Sequence, residues 1–165
     1  FDAIPAILRD HPDTYFLLVG DGPLKDELLA RAKRMGFAER VVFCGLVPRE
    51  EIPSALAAMD LMAHPARYEG LPRVLVQALA MGKPCVAFDA DGTREVVVTG
   101  ETGYLIEPGD SDAFAAAVNE LLSDPERRQS LGKAGRKRVD PAFRVETMVS
   151  ETDRVYQELL QQRST

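Results

Sequence analysis

The sequence predicts a doubly wound α/β domain, in which helices cover both faces of a parallel sheet, followed by a C-terminal helical tail. Short apolar runs rich in Val, Phe and Leu alternate with longer segments of helical period. None of these runs alternates apolar with polar residues, which is typical of parallel strands buried on both faces. After Ile106 the pattern is helical throughout. We therefore expect strands joined by helical crossovers, with further helices packed after the last strand.

The apolar runs and the helical periods place the individual elements. Strands are predicted at residues 15–19, 41–44, 61–63, 85–88 and 103–106. Helices are predicted at residues 2–12, 24–35, 48–58, 72–81 and 93–98, and in the tail at 110–122, from 124 onward and at 141–162. Asp110 can cap the first tail helix, and Asp124 with Pro125 opens the second.

Proline and glycine mark several helix boundaries. Pro23 and Pro72 stand where a first-turn proline is tolerated, since its missing N–H would have no intrahelical partner there. Gly36 and Gly82 follow helical segments, where a left-handed residue commonly ends a helix. These positions support the predicted order of elements.

Composition and charge exclude several classes of protein. The chain has 165 residues, a common size for one domain, and a net charge of −6, which argues against a nucleic-acid-binding surface. Its longest uncharged stretch has nine residues, whereas a membrane-spanning helix needs about 20 apolar ones. No signal-peptide pattern follows Phe1, and the sequence enters a helix at once, so we expect a cytoplasmic domain taken from a longer protein.

The cysteines and histidines show no metal or disulfide pattern. Cys44 and Cys85 each lie in an apolar run and are predicted to be buried, reduced thiols. His11 and His64 have no companions at metal-ligand spacing, so no metal site and no cofactor are expected. His64 is interpreted as a packed or hydrogen-bonded residue, with a catalytic role as the alternative.

Two loops at predicted strand ends could contact a nucleotide. Gly20 and Gly22 allow a close backbone turn before a helix, whose free N–H groups could bind a phosphate. Lys25 occupies the place of the third glycine of a dinucleotide fingerprint, which argues against a nicotinamide cofactor. Leu46 and Val47 form an apolar loop that could pack against a flat base. For both loops, a plain strand-to-helix turn is the alternative.

The densest group of functional candidates follows the third predicted strand. Glu69 precedes a helix start, where a carboxylate can be a ligand contact or only a capping anion. Arg73 and Gln77 are four residues apart and share one helix face. Gln77 interrupts an otherwise apolar helix that we expect to be covered on both sides, so its amide is expected to be buried and to need partners.

A second polar loop follows the fourth predicted strand. Asp91, Gly92 and Thr93 join this strand to a helix and form a candidate site for an anion or a hydroxyl group. The alternative is a turn in which Thr93 caps the helix. The residues alone leave both interpretations open.

Five sequence blocks, taken together, resemble a known family over nearly the whole chain. They are FLLVGDGP, VVFCGLVP, YEGLPRVLVQALAMGKPCVAFDADGTREVV, TGYLIEPGDSDAFAAAV and LLSDPERRQSLGKAGRKRV. In order and spacing they resemble the C-terminal domain of glycosyltransferase family 4, the retaining GT-B enzymes. The resemblance implies a Rossmann-like half of a GT-B fold that binds a nucleotide-diphosphate sugar without a metal ion. It also implies a separate N-terminal acceptor domain, absent here, through which any membrane association would arise.

The resemblance assigns roles to individual residues. Glu69 matches the first glutamate of a paired-glutamate signature, which contacts hydroxyls of the donor sugar. The other matched residues correspond to the family's ligand contacts. Gly70, Leu71, Arg73 and Val74 match the backbone that binds sugar and phosphate. Gly20 and Gly22 match the glycine turn at the nucleotide site, and Leu46 and Val47 match the loop that contacts the base.

Two departures from the family pattern bear on activity. The second glutamate, expected eight residues after Glu69 to hold the ribose, is Gln77 here, and an amide lacks the charge-assisted hydrogen bonds of a carboxylate. The family's first strand and its diphosphate-neutralising Arg and Lys are expected upstream of Phe1. A non-catalytic nucleotide-recognising or interaction module and a nucleotide-sugar epimerase are therefore alternatives to a glycosyltransferase.

Overall fold

The computed structural model describes residues 1–163, which fold into alternating strands and helices. The strands are β1 (Phe16–Val19), β2 (Val41–Gly45), β3 (Met62–His64), β4 (Cys85–Phe88) and β5 (Gly103–Ile106). The helices are α1 (Ile4–Asp10), α2 (Lys25–Arg34), α3 (Ile52–Ala57), α4 (Arg73–Ala80), α5 (Thr93–Val96), α6 (Ser111–Ser123), α7 (Pro125–Val139) and α8 (Val145–Arg163). The predicted α/β class and the helical tail are confirmed.

The strands form two parallel sheets, although the sequence predicts one. One sheet has the order β1-β2 and the other the order β3-β4-β5. Every paired strand is parallel to its neighbour. β1 bonds only to β2 and β3 only to β4 within the described residues, so β1 and β3 are not joined by a ladder. Apolar runs indicate that strands exist, but not which strands are adjacent.

The central strand of the three-stranded sheet is buried on both faces, as predicted, whereas Ala63 of the edge strand β3 is exposed. All four residues of β4 are buried. Cys85 and Ala87 pack with α4 on one face, whereas Val86 and Phe88 pack with α6 on the other. This core fixes the carboxyl ends of β3, β4 and β5 and the loops that leave them.

The two-stranded sheet is covered less completely, so the prediction of burial on both faces is wrong for β2. Val41 and Phe43 pack with Ala32 of α2 in a separate apolar cluster. The alternate side chains face outward: Val42 is 44% exposed and Cys44 is exposed. The prediction of two buried thiols therefore holds for Cys85 and is wrong for Cys44. β2 carries apolar residues on a solvent-facing side, which its sequence alone cannot distinguish from a buried one.

Most helix-boundary predictions agree with the structure. Asp110 and Asp124 cap their helices by accepting hydrogen bonds from the amides of Ala113 and Arg127, at 2.9 and 2.8 Å. Both glycine stops are confirmed, since φ is 78° at Gly36 and 71° at Gly82.

The remaining boundaries differ by a few residues. Pro72 is the N-cap of α4 rather than a first-turn residue, and Pro23 precedes α2. α3 begins only after a short 3₁₀ turn at Arg49–Glu51. The last helix begins at Val145, not at residue 141. No helix within residues 1–163 is long and apolar enough to cross a bilayer.

Glycines let α7 approach the end of α4 closely. A Cβ placed on Gly132 would lie 1.9 Å from the carbonyl oxygen of Gly82. A Cβ on Gly135 would lie 2.4 Å from the side chain of Leu79. At Gly132 the obstacle is backbone, so only glycine fits there, whereas at Gly135 the Leu79 side chain would have to shift to admit a larger residue. The packing of α7 therefore supports the helix that carries Arg73, Val74 and Gln77.

We expect Gly132→Ala to destabilise the protein by roughly 3 kcal/mol, because the new methyl group must displace the backbone at Gly82. This loss would exceed the gain in helix propensity of about 1 kcal/mol that alanine brings. Chemical denaturation measures the difference. Ser130→Ala, on the exposed side of α7, is the control and should change stability by less than about 0.5 kcal/mol. Equal stability of the two variants would contradict the close α4–α7 contact.

The two thiols should differ in reactivity. Burial raises the pKa of the Cys85 thiol far above its ordinary value, so its thiolate is rare and inaccessible. Cys44 is exposed. A thiol reagent should therefore modify one cysteine rapidly in the folded protein and both in denaturant, and Cys44→Ser should remove the rapid phase. Rapid modification of both cysteines in the folded protein would contradict this.

Candidate functional site

The candidate residues lie in two groups at the carboxyl ends of the strands. We call Gly20, Gly22, Leu46 and Val47, which follow β1 and β2, the glycine-turn group. The Glu69 group consists of Glu69, Gly70, Leu71, Arg73, Val74 and Gln77, between β3 and the end of α4. Ligands of doubly wound proteins bind at this end of the strands. Among residues 1–163, no hydrogen bond or ion pair joins the two groups.

Backbone contacts hold the glycine-turn group in place. The amide of Gly20 donates to the carbonyl oxygen of Gly45 at 2.9 Å, which links the ends of β1 and β2. Gly20 has a φ of 136°, a conformation that residues with side chains rarely adopt. The amide of Gly22 donates to the Asp21 carboxylate at 2.9 Å. Leu46 is 82% exposed, so an apolar surface stands next to the turn.

A loop from the neighbouring strand supports the backbone of Glu69. The Glu69 amide donates to Oδ2 of Asp91 at 3.3 Å. In return, the amide of Gly92 donates to the carbonyl oxygen of Glu69 at 3.4 Å. Asp91 adopts a φ of 38°, in the left-handed region, to make this turn. The loops after β3 and β4 thus hold each other, and the Glu69 side chain remains partly exposed.

The same two loops touch so closely that only glycine fits between them. A Cβ on Gly92 would lie 1.8 Å from the carbonyl oxygen of Gly70. A Cβ on Gly70 itself would meet nothing within 4 Å. The contact therefore depends on Gly92, which fixes the position of Glu69 and Gly70 at the end of β3.

The helix α4 presents a polar face above a buried one. Leu75, Ala78 and Leu79 are fully buried beneath it. Arg73 and Gln77 are both exposed, which agrees with the prediction that they share a face. The predicted burial of Gln77 is wrong, because the side of α4 that carries it is exposed. Its amide is thus accessible to a ligand and needs no protein partner.

The loop after β4 also differs from its predicted form in one respect. Thr93 does not cap α5: it is the first helical residue, 1% exposed, and Gly92 occupies the cap position. Arg94 makes a paired contact with the carboxylate of Asp89, and this hydrogen-bonded guanidinium lowers the pKa of Asp89 below its usual range. The sequence predicts Asp91 and Gly92 as part of a ligand site, not as the residues that hold the backbone of Glu69. The Asp-Gly pair after a strand was the available signal.

The imidazole of His64 lies beside the carboxylate of Glu69. Its Nε2 atom lies 3.7 Å from Oε2 of Glu69, and the side chains are 18% and 37% exposed. Burial lowers the pKa of His64, and the Glu69 carboxylate partly opposes this effect. His64 is therefore neutral near pH 7. Within the described chain, no group of three His, Cys, Asp or Glu side chains could hold a metal ion.

Parallel sheets with helices between the strands, and candidate residues on the loops at the strands' carboxyl ends, define a Rossmann-like α/β domain. Residues 1–138 match the family described as glycosyl transferases group 1, and the chain belongs to this family. Its structure is that of the C-terminal domain of a GT-B glycosyltransferase.

Individual relatives illustrate the range of this family. The chain is 40% identical over 141 residues to a GDP-mannose-dependent alpha-(1-6)-phosphatidylinositol monomannoside mannosyltransferase of Mycolicibacterium smegmatis, covering 81% of this chain and 37% of the relative. It superimposes on HepE of Anabaena in complex with UDP with a TM-score of 0.86 and 31% identity, covering 95% of this chain and 44% of HepE.

A third relative is itself a C-terminal domain. The C-terminal domain of a glycosyl transferase group 1 family protein (LpcC) from Francisella tularensis superimposes with a TM-score of 0.80 and 27% identity, covering 87% of this chain and 77% of that domain. The chain spans less than half the length of the mannosyltransferase and of HepE. It therefore corresponds to one part of these larger proteins.

We expect Gly92→Ala to destabilise the protein by roughly 3 kcal/mol, because the methyl group would overlap the backbone at Gly70. Gly70→Ala, at the other side of the same contact, is the matched control and should change stability by less than about 0.5 kcal/mol, since its Cβ has free space. Thermal and chemical denaturation compare them. If Gly92→Ala unfolds like the wild type, the two loops do not rely on this contact.

Proposed function

We propose that this chain is the donor-binding domain of a retaining glycosyltransferase, which transfers a sugar from a nucleotide-diphosphate sugar to an acceptor. The proposal rests on Glu69 in the loop after β3. The loop after β4 holds its backbone by a hydrogen bond, and its carboxylate is partly exposed. Membership of the glycosyl transferases group 1 family and the complex of HepE with UDP support a nucleotide-sugar ligand. The acceptor-binding domain would lie outside these residues, in agreement with the partial coverage of the relatives.

In this proposal Glu69 contacts hydroxyls of the donor sugar. A carboxylate is an acceptor that can bind two neighbouring hydroxyl groups, and its charge strengthens both hydrogen bonds. Gly70 and Leu71 bring backbone groups to the same place. Because the loop after β4 holds the backbone of Glu69, the carboxylate is positioned before the ligand arrives.

The diphosphate would lie at the start of α4. The first amides of a helix have no intrahelical acceptors and carry a positive partial charge, which favours an anion. Arg73 and Val74 begin α4, and the Arg73 side chain is exposed. These groups would stabilise the negative charge that develops on the departing diphosphate, so no metal ion is required.

Gln77 and the glycine-turn group would bind the nucleoside. Gln77 is exposed on the same face of α4 as Arg73, so its amide can accept a hydrogen bond from a ribose hydroxyl. Gly20 and Gly22 would let the nucleotide approach the backbone, and Leu46 and Val47 would pack against the base. The two free thiols support a reducing, cytoplasmic location.

The roles of Glu69 and Gln77 can be distinguished by comparing the binding of a nucleotide sugar with that of the free nucleoside diphosphate. Isothermal titration calorimetry with UDP and UDP-glucose, and with GDP and GDP-mannose, covers the nucleotides named for HepE and for the mannosyltransferase. Glu69→Gln should weaken binding of the nucleotide sugar roughly tenfold and leave the free nucleoside diphosphate unchanged, because only the sugar loses a charged partner. Gln77→Glu should strengthen binding of both ligands, since a carboxylate restores charge-assisted hydrogen bonds to the ribose.

Glu101 is an exposed carboxylate before β5, so the variant Glu101→Gln is the control for the loss of one negative charge. This variant should bind both ligands like the wild type. An equal loss of sugar nucleotide and free nucleotide in Glu69→Gln would contradict the sugar contact. Binding without sugar transfer by a protein that also contains the acceptor domain would favour the non-catalytic module. Isomerisation of the donor without an acceptor would favour an epimerase.

A further inference from the structure

His64 ends β3, and its side chain is mostly buried beside Glu69. Its backbone pairs with Ala87 of the buried strand β4, so its position is set by the core. Alternate residues of a strand share a face, and His64 therefore points to the same side as Met62, which packs with Leu75 and Leu79 of α4. The backbone of His64 is thus held by the ladder to β4, whereas Glu69 lies in the loop between β3 and α4.

The Nε2 atom of His64 is buried and has no hydrogen-bond partner. A buried polar atom without a partner is costly, so such an atom calls for an explanation. Oε2 of Glu69 lies 3.7 Å away, a little beyond hydrogen-bond distance. A movement of the Glu69 side chain by less than about 1 Å would close this gap and satisfy the nitrogen.

The chemistry of the pair allows this without a change of charge. A neutral imidazole carries one N–H, and in the Nε2–H tautomer that group can donate to the carboxylate. Oε2 would accept this hydrogen bond, and Oε1 would remain available to a ligand. One orientation of the carboxylate would then be favoured over the others.

We infer that His64 is a positioning residue for Glu69: its Nε2–H donates to Oε2 and directs Oε1 towards the hydroxyl groups of the bound sugar. This inference rests on the proposed function for the role of Glu69, but the contact itself can be tested without any ligand. Neither the family resemblance nor the relatives' descriptions assign a role to this histidine.

The Glu69 carboxylate is the charged group that acts on His64. It raises the pKa of the imidazole against the larger lowering by burial. From the loop after β4, Asp91 contacts the backbone of Glu69 rather than the imidazole. Arg67, the other charged residue between His64 and Glu69, lies beside Gly109. Changes at Glu69 should therefore reach His64, and changes at more distant carboxylates should not.

Nitrogen-15 NMR of the 165-residue chain tests the contact directly, because the chain has only two histidines. His11, which contacts Ser123, serves as an internal reference. The ring shifts of His64 should show the Nε2–H tautomer at pH 7. Glu69→Gln should lower the pKa of His64 further, since it removes the opposing carboxylate, and Glu95→Gln on α5 should leave the titration of His64 unchanged. An Nδ1–H tautomer, or no response to Glu69→Gln, would overturn the contact.

Calorimetry with nucleotide sugars tests the positioning role. His64→Leu keeps the bulk but removes the donor, and it should weaken nucleotide-sugar binding roughly tenfold while leaving the free nucleoside diphosphate unaffected. His64→Gln places an amide N–H near the position of Nε2 and should restore most of the loss. His64→Asn, whose amide is one bond shorter, should not restore it.

The outcomes separate this inference from the proposed function. If the wild type binds neither nucleotide sugars nor nucleoside diphosphates, the proposed function fails, and Oε1 of Glu69 has no sugar to contact. The NMR experiment still decides whether the His64–Glu69 contact exists. If the wild type binds nucleotide sugar and folded His64→Leu binds it equally well, His64 does not position Glu69. Recovery by His64→Gln but not by His64→Asn would support a directed donor rather than a structural role.

Discussion

The site depends on the contact between the loop after β3 and the loop after β4. Gly92 lies against the carbonyl group of Gly70, where even a methyl group would not fit. Two hydrogen bonds join the same loops through Asp91, Gly92 and Glu69. Without this contact Glu69 would sit on an unsupported loop, and a carboxylate that samples many positions binds hydroxyl groups weakly, because its orientation must be fixed on binding. The contact thus fixes the position of the loop that carries Glu69.

The packing of α4 extends this constraint to the rest of the site. Leu75, Ala78 and Leu79 are fully buried against β4 on one side, and glycines of α7 allow that helix to pack closely against the end of α4. The opposite face must then present Arg73 and Gln77 to solvent. Because β3 and β4 are joined by a regular ladder, the start of α4, the Glu69 loop and the loop after β4 form one supported unit. A ligand would meet groups whose positions are already set by the core.

Much of the fold follows from local patterns, and the exceptions share one cause. β4 and β5 have the predicted bounds, and the capping carboxylates Asp110 and Asp124 act as expected, because these features depend on neighbours in sequence. The sequence predicts burial for both Cys44 and Gln77, and both are exposed. In both cases the residue lies in an apolar run, and burial depends on whether another element covers that side. That coverage is a property of the whole fold.

The amino-acid sequence by itself determined the α/β class, the order of the elements and the loops that carry the candidate site. It did so because apolar period, caps and turns are local, and because the five blocks resemble a known family. Only the tertiary structure decided that the strands divide into two sheets, that Asp91 and Gly92 brace Glu69, and that His64 lies beside its carboxylate. These relations join residues of different elements or orient side chains within a loop, so they depend on packing distances of a few ångströms that no local pattern specifies.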